Sequence, residues 1–285
     1  QADRRLRDAL SDIEDYHNTT LDLFKQGMDV TPEFEQRLDS MKNFQFSQPT
    51  SLDPSGMVDR LENVLDASED KFQRFIEKHA DTEDEEELAN YNMAFKGVMG
   101  TQQIFKVLRH YRELINKTQN FQLVGIVNMM LPIYKELAES QKGAVRAFTD
   151  KAPTGDGIGP LVAAKLITEE PEKAAEHIIK SEEEIDGQKV HVLKSRGPGA
   201  RLGKYGEALE TVSDENDLEA IITVDAAGKL EGEETGKVNE GVGVMMGGPG
   251  VQKSRIEDIA TEKDVPLEGV VIKQSPPEAS KPMKR

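Results

Sequence analysis

Glycine divides this chain in two. Of 23 glycines in 285 residues, six precede residue 150 and seventeen follow it. Glycine is a poor helix former and gathers where backbone turns sharply or approaches something closely. The two parts are therefore expected to be built differently. An α+β chain is predicted: a bundle or stalk of long helices over residues 1–150, then a small glycine-rich α/β domain over 151–275. Residues 276–285 read as a flexible tail.

The first part carries helical periodicity. Leu6, Leu10, Ile13, Leu21 and Phe24 recur at spacings of three and four, and His17 falls on their stripe as the boundary residue of a helix pair. Thr31-Pro32-Glu33 is a helix start, a capping hydroxyl followed by proline at the first helical position. Asp53-Pro54 repeats it ahead of Leu61, Val64, Leu65, Phe72, Phe75 and Ile76. The acidic run 81–87 suits the positive end of another helix, whose stripe runs from Leu88 through Phe95 and Leu108 to Ile115. A partner helix spans about 121–148 through Val124, Val127, Met130, Leu131, Tyr134, Leu137 and Val145, with a kink at Pro132. Its methionines read as core. Two such helices joined by a short polar turn form an antiparallel hairpin.

The second part changes period. Residues 176–185, Asp186-Gly187 and 188–194 read as strand, tight turn and strand. Residues 218–224 and 269–273 are further short β-branched runs, with helical patterns at 206–212 and 256–263. Strands alternating with helices predict a mostly parallel sheet with the hairpin at its edge.

Composition excludes several chemistries. There are 36 Lys+Arg against 53 Asp+Glu, a net charge of −17. Nucleic-acid binding normally needs clustered positive charge, so it is disfavoured. Cysteine is absent, which removes disulfides, thiolate nucleophiles and Cys-ligated metals. No Gly-x-Ser-x-Gly elbow or paired-histidine metal spacing occurs. No run of about 18 apolar residues is present. The chain starts at Gln1, and residues 1–7 already read as helix interior, so further sequence is expected ahead of them.

Four stretches carry candidate chemistry. In 197–206, Gly197, Gly199 and Gly203 lie between strand and helix with Arg201 and Lys204. Such a turn aims backbone N–H groups and a helix N-terminus at an anion. The Walker spacing fails, with five residues between Gly197 and Gly203 and Tyr205 in place of Ser or Thr. Asp225 ends an apolar strand, and with Glu231 and Glu233 it forms a candidate magnesium set. In 241–250, alternating Gly and Val followed by Gly247, Gly248 and Gly250 suggest backbone packed on a ligand or a neighbouring strand. The turn could make a second anion-binding helix end. In 154–166, Gly157-Ile158-Gly159-Pro160 resembles the hairpin of helix-hairpin-helix modules, whose glycine amides bind DNA phosphate. That reading sits poorly in so acidic a chain.

The ordered series Gly-Asp-Gly-Ile-Gly-Pro-Leu-Val-Ala-Ala-Lys-Leu (155–166), Lys-Tyr-Gly-Glu-Ala (204–208), Ile-Thr-Val-Asp-Ala-Ala-Gly-Lys-Leu-Glu-Gly-Glu-Glu-Thr-Gly (222–236) and Glu-Gly-Val-Gly-Val (240–244) resembles an archaeal family catalogued as domain of unknown function fifteen-twelve. The resemblance implies a hydrophobic segment ahead of the helical region. It thus implies a membrane-anchored parent with this part on the cytoplasmic side. It brings no activity and no catalytic residues.

Two functions are expected from the sequence. The α/β part binds a phosphorylated, nucleotide-like small molecule, with magnesium as the implied ion. Alternatively the chain is a membrane-associated scaffold that forms a homo-oligomer or docks a protein partner through its helices. The sequence names no reaction.

Overall fold

The computed structural model describes residues 2–45, 47, 56–199 and 201–283. In chain order the first helices are α1 (Ala2–Lys25), α2 (Pro32–Lys42), α3 (Met57–His79), α4 (Glu85–Thr118) and α5 (Phe121–Thr149). A 3-10 turn (Gly155–Gly157), α6 (Ile158–Leu166) and strands β1 (Glu172–Ala175), β2 (Ile178–Ile185) and β3 (Gln188–Ser195) follow. Then come α7 (Tyr205–Glu215), β4 (Ile221–Gly228), β5 (Val238–Val242), α8 (Val251–Glu262), β6 (Leu267–Gln274) and α9 (Pro276–Ser280). Two compact units result: one comprises 1–46, 68–154 and 276–285, the other 47–67 and 155–275. Helix α3 thus contributes its beginning to the second unit and the remainder to the first.

Local signals set the helix ends of the first unit. Thr31 Oγ1 accepts the Phe34 N–H at 3.1 Å, with Pro32 at the first helical position. The Asp84 carboxylate accepts the Glu87 N–H at 2.9 Å, so the acidic run does open α4. Gln119 takes a left-handed φ of 52°, and the Asn120 side chain caps α5 through the Gln122 and Leu123 N–H groups. The Asp53-Pro54 signal lies outside the described residues.

Two cores hold this unit. One is aromatic: six of the ten phenylalanines, Phe24, Phe34, Phe72, Phe75, Phe95 and Phe148, are buried in it. The other joins Leu6, Leu10 and Ile13 of α1 to Leu108 of α4 and to Val127, Leu131 and Ala138 of α5. Met130 and Leu137, read from the sequence as members of the inward stripe, instead stand on the exposed side of α5. Each is one residue from an inward position, and one residue turns the side chain by about 100°. Helix α5 runs through Pro132 as a single element. The segment expected to be a flexible tail forms α9, which packs on α5, and the Met283 N–H donates to the Pro153 carbonyl at 2.8 Å. Among the described residues no helix is long and apolar enough to cross a membrane.

His17 sits buried between α1 and α4. The Thr101 hydroxyl donates to the Val98 carbonyl at 2.9 Å, which leaves its oxygen to accept from His17 Nδ1 at 3.0 Å. Burial first, and the Lys42 charge second, lower the imidazole pKa from 6.5 to about 4. The unfolded chain therefore takes up this proton first, and stability falls as pH drops from 6.5 towards 4. We expect a loss of about 2 kcal/mol across that window, after discounting for residual solvent screening. Urea titrations at a series of pH values measure it. An unchanged slope in His17→Asn would take the effect away from this residue.

The second unit contains two three-stranded sheets, ordered β1-β2-β3 and β4-β6-β5. The expected mostly parallel sheet is not what forms. β1, β2 and β3 are all antiparallel, because a short turn at His177 and the Asp186-Gly187 turn can only reverse the chain. The hairpin thus belongs to its own sheet and is not the edge of a parallel one. The other sheet is mixed: β4 runs parallel to the central β6, and β5 antiparallel to it. Gly241, the first of the alternating glycines, has a packing explanation, whereas Gly243 faces open space at a φ of 99°. Gly241 and Gly269 pair directly, and a Cβ on Gly269 would stand 2.2 Å from Met245 Cγ. The neighbour these glycines accommodate is the Met245 side chain.

Candidate functional site

The loop after β3 folds back on the β1–β2 turn. The Arg196 N–H donates to the His177 carbonyl at 2.9 Å, and the Lys204 N–H to the Glu176 carbonyl at 3.0 Å. Gly197, Gly199 and Gly203 all take positive φ. At Gly203 there is no room for a side chain, since a Cβ would stand 2.8 Å from the Glu176 carbonyl oxygen.

The loop before α8 comes to the same place. A Cβ on Gly248 would lie 2.6 Å from Leu202 Cδ1, so the two glycine-rich loops touch. The Gly247 N–H donates to Asp225 Oδ2 at 2.8 Å, and the Ala226 N–H donates to Oδ1 at 2.8 Å. Asp225 is therefore an anchor for the second loop. It stands fifth of the eight residues of β4, not at the strand's end.

Helices α7 and α8 start at these loops and lie side by side in the same direction. At their beginnings the Gly206 N–H donates to Gln252 Oε1 at 2.9 Å. At their ends Lys263 pairs with Asp214 at 2.7 Å. Two parallel dipoles thus bring their positive ends together, where a negative group is favoured. Glu62 of α3 provides it. Its carboxylate takes Lys204 Nζ at 2.8 Å, Arg255 at 2.6 Å and Gln252 Nε2 at 3.1 Å. Asp66 adds a second contact to Lys204 at 2.9 Å, and Asp59 one to Arg255 at 3.1 Å. Burial pushes the Glu62 carboxyl upward, but the hydrogen bonds from Lys204 and Arg255 outweigh it and its pKa is lowered.

Sequence reasoning missed Asp59, Glu62, Asp66, Gln252 and Arg255. The three acids recur at spacings of three and four, which places them on one face of α3. In a chain with 53 acidic residues that spacing does not stand out.

The acids proposed for magnesium are placed apart. Glu233 accepts the Leu230 N–H at 2.7 Å and faces Lys273 at 3.7 Å, whose Nζ also donates to the Gly228 carbonyl. That is the far end of β4, about 10 Å along the strand from Asp225. Glu231 is exposed in the loop beyond it. Among the described residues no three His, Asp or Glu side chains are gathered so as to hold a metal ion. Nearer to Asp225 is Asp156. Its residue keeps contact with solvent, yet crowding by protein, and then the Asp225 charge, raise its carboxyl pKa.

The Gly157–Gly159 element is turned towards the sheet. A Cβ on Gly159 would lie 2.4 Å from the Val224 carbonyl oxygen, so the first turn of α6 presses on β4. A cleft lined by Asp214, Asn216, Asp217 and Lys263 lies at the other ends of α7 and α8, and its carboxylates do not suit an anion.

Among curated proteins and solved structures, none matches the chain. Two family models do. One, a protein of unknown function (DUF1512) N-terminal domain, matches residues 1–151. The other, the C-terminal domain of unknown function (DUF1512), matches residues 154–285. Together they cover nearly the whole chain, which therefore belongs to the DUF1512 family, with both of its domains present.

Proposed function

We propose that the second unit binds a phosphorylated, nucleotide-like small molecule where α7 and α8 begin, with Arg201 and Lys204 as its cations. The observation that carries this reading is the pairing of two helix N-termini at touching glycine-rich loops. Backbone N–H groups and aligned dipoles there favour an anion. Glu62 is the intramolecular anion at that junction, and a phosphate, with more charge and more acceptor oxygens, competes for the same partners.

Thermal melting against pyrophosphate and a panel of nucleotides, with and without magnesium, tests it. A ligand at about a hundredfold excess over its Kd adds about 2.7 kcal/mol to stability. Lys204→Ala is expected to weaken binding by roughly tenfold, as loss of one charge-assisted contact does. Melting that stays flat across the whole panel would sink the proposal.

A further inference from the structure

We infer that this protein self-associates through the outer face of α5, helix against helix across a two-fold axis. Helix α5 is apolar on two sides. Val127, Leu131 and Ala138 point into the bundle. Ile126, Met129, Met130, Ile133 and Leu137 are 56, 80, 37, 58 and 39 % exposed. At 3.6 residues per turn these five fall within a band about 100° wide. Helices apolar on all sides are normally covered on all sides. Further along, Ser140 continues this face and is buried. Among the described residues, the outer side chains of 126–137 stay exposed.

Charge identifies the occupant. No Asp, Glu, Lys or Arg occurs between Lys117 and Lys135, in a chain that is 31 % charged with a net charge of −17. A second copy brings the same face, uncharged from 118 to 134, so two strongly acidic molecules meet along that stretch without opposing carboxylates, with the exposed Glu136 beyond its end. A membrane surface would call for Lys and Arg along the flanks of the helix. The lysine that ends the uncharged stretch, Lys135, is already paired with Asp12 at 2.5 Å. Size agrees. Covering five large apolar side chains, on the order of 100 Å² each, gives a symmetric pair about 1,000 Å², the lower bound for a stable interface.

Sedimentation velocity of the full chain, from low to high micromolar concentration, tests this. A dimer is expected. Because all five residues are exposed, Met129→Glu combined with Ile133→Glu should leave helix content unchanged and lower the melting temperature only at concentrations where the parent is a dimer. It should raise the dimer Kd roughly tenfold or more. The chain has no cysteine, so one introduced thiol is unique. Under mild oxidation Met130→Cys should give a disulfide-linked dimer, whereas Glu77→Cys, exposed on α3, should not. A chain monomeric throughout, a dimer indifferent to the double substitution, or equal cross-linking at both thiols would overturn the inference. A monomer that binds phosphatidylserine vesicles through these residues would also overturn it and assign the face to a membrane.

Discussion

Phe95→Ala is expected to destabilise the first unit by about 3–5 kcal/mol, as buried Phe-to-Ala changes in well-packed cores do. Phe95 is fully buried. Its ring lies 5.4 Å from Phe24, 5.8 Å from Phe72 and 5.3 Å from Phe75, centroid to centroid. Removing it leaves a void that three other rings line. Those rings come from α1 and α3, so no single helix can shift to close it. Each aromatic pair also contributes about 0.5–1.5 kcal/mol beyond burial. Phe95→Leu keeps most of the volume and should lose under half as much. Chemical denaturation of the two variants beside the parent measures both. An alanine variant within about 1 kcal/mol of the parent would mean that the cluster is not the keystone of this core.

Glu62→Ala has the second large effect, and it acts in two directions. The substitution leaves Lys204 and Arg255 with only Asp66 and Asp59 as partners, beside two positive helix ends. Breaking a buried pair from one side commonly costs 3–5 kcal/mol. The remaining acids and partial exposure reduce this to about 2–3 kcal/mol. The pH dependence follows from the lowered Glu62 pKa. Its contribution is fully present above the ordinary value of 4.5 and fades as the solution is acidified below it. Ligand binding should move the other way. With Glu62 gone, pyrophosphate competes only with Asp66 and Asp59 for Lys204 and Arg255 and should bind roughly tenfold more tightly. Calorimetric titration of the variant separates the outcomes. Lower stability without tighter binding would make Glu62 a structural anchor alone.

Helix existence in the first unit was legible because its signals are local. Thr31-Pro32 and the run 81–87 carry their own capping chemistry, and apolar spacing marks the faces of α1, α3 and α4. Strand pairing was less legible. The runs that became β2, β3, β4 and β6 could be located, but β1 and β5 are short and weakly apolar. Without β5, the partner of β6 on one side was missing, and the sheet read as parallel.

The candidate site shows the same boundary. Glycine-rich turns at 197–204 and 247–250 could be read from the sequence, and their contact through Leu202 and Gly248 could not. Lys204 reads locally as one of two cations among glycines, yet its partner Glu62 lies 142 residues away. On α5, periodicity places Met129 and Ile133 on one face but does not say what lies opposite that face. The long helices of the first unit, the caps at Thr31 and Asp84, the change of architecture near residue 150 and the family are all legible in the residue order. Which cations are neutralised, which glycines make room for side chains and which apolar stripe stays exposed follow from the folded chain alone. Capping and periodicity act over a few residues, whereas charge pairing and packing depend on which distant segments the fold brings together.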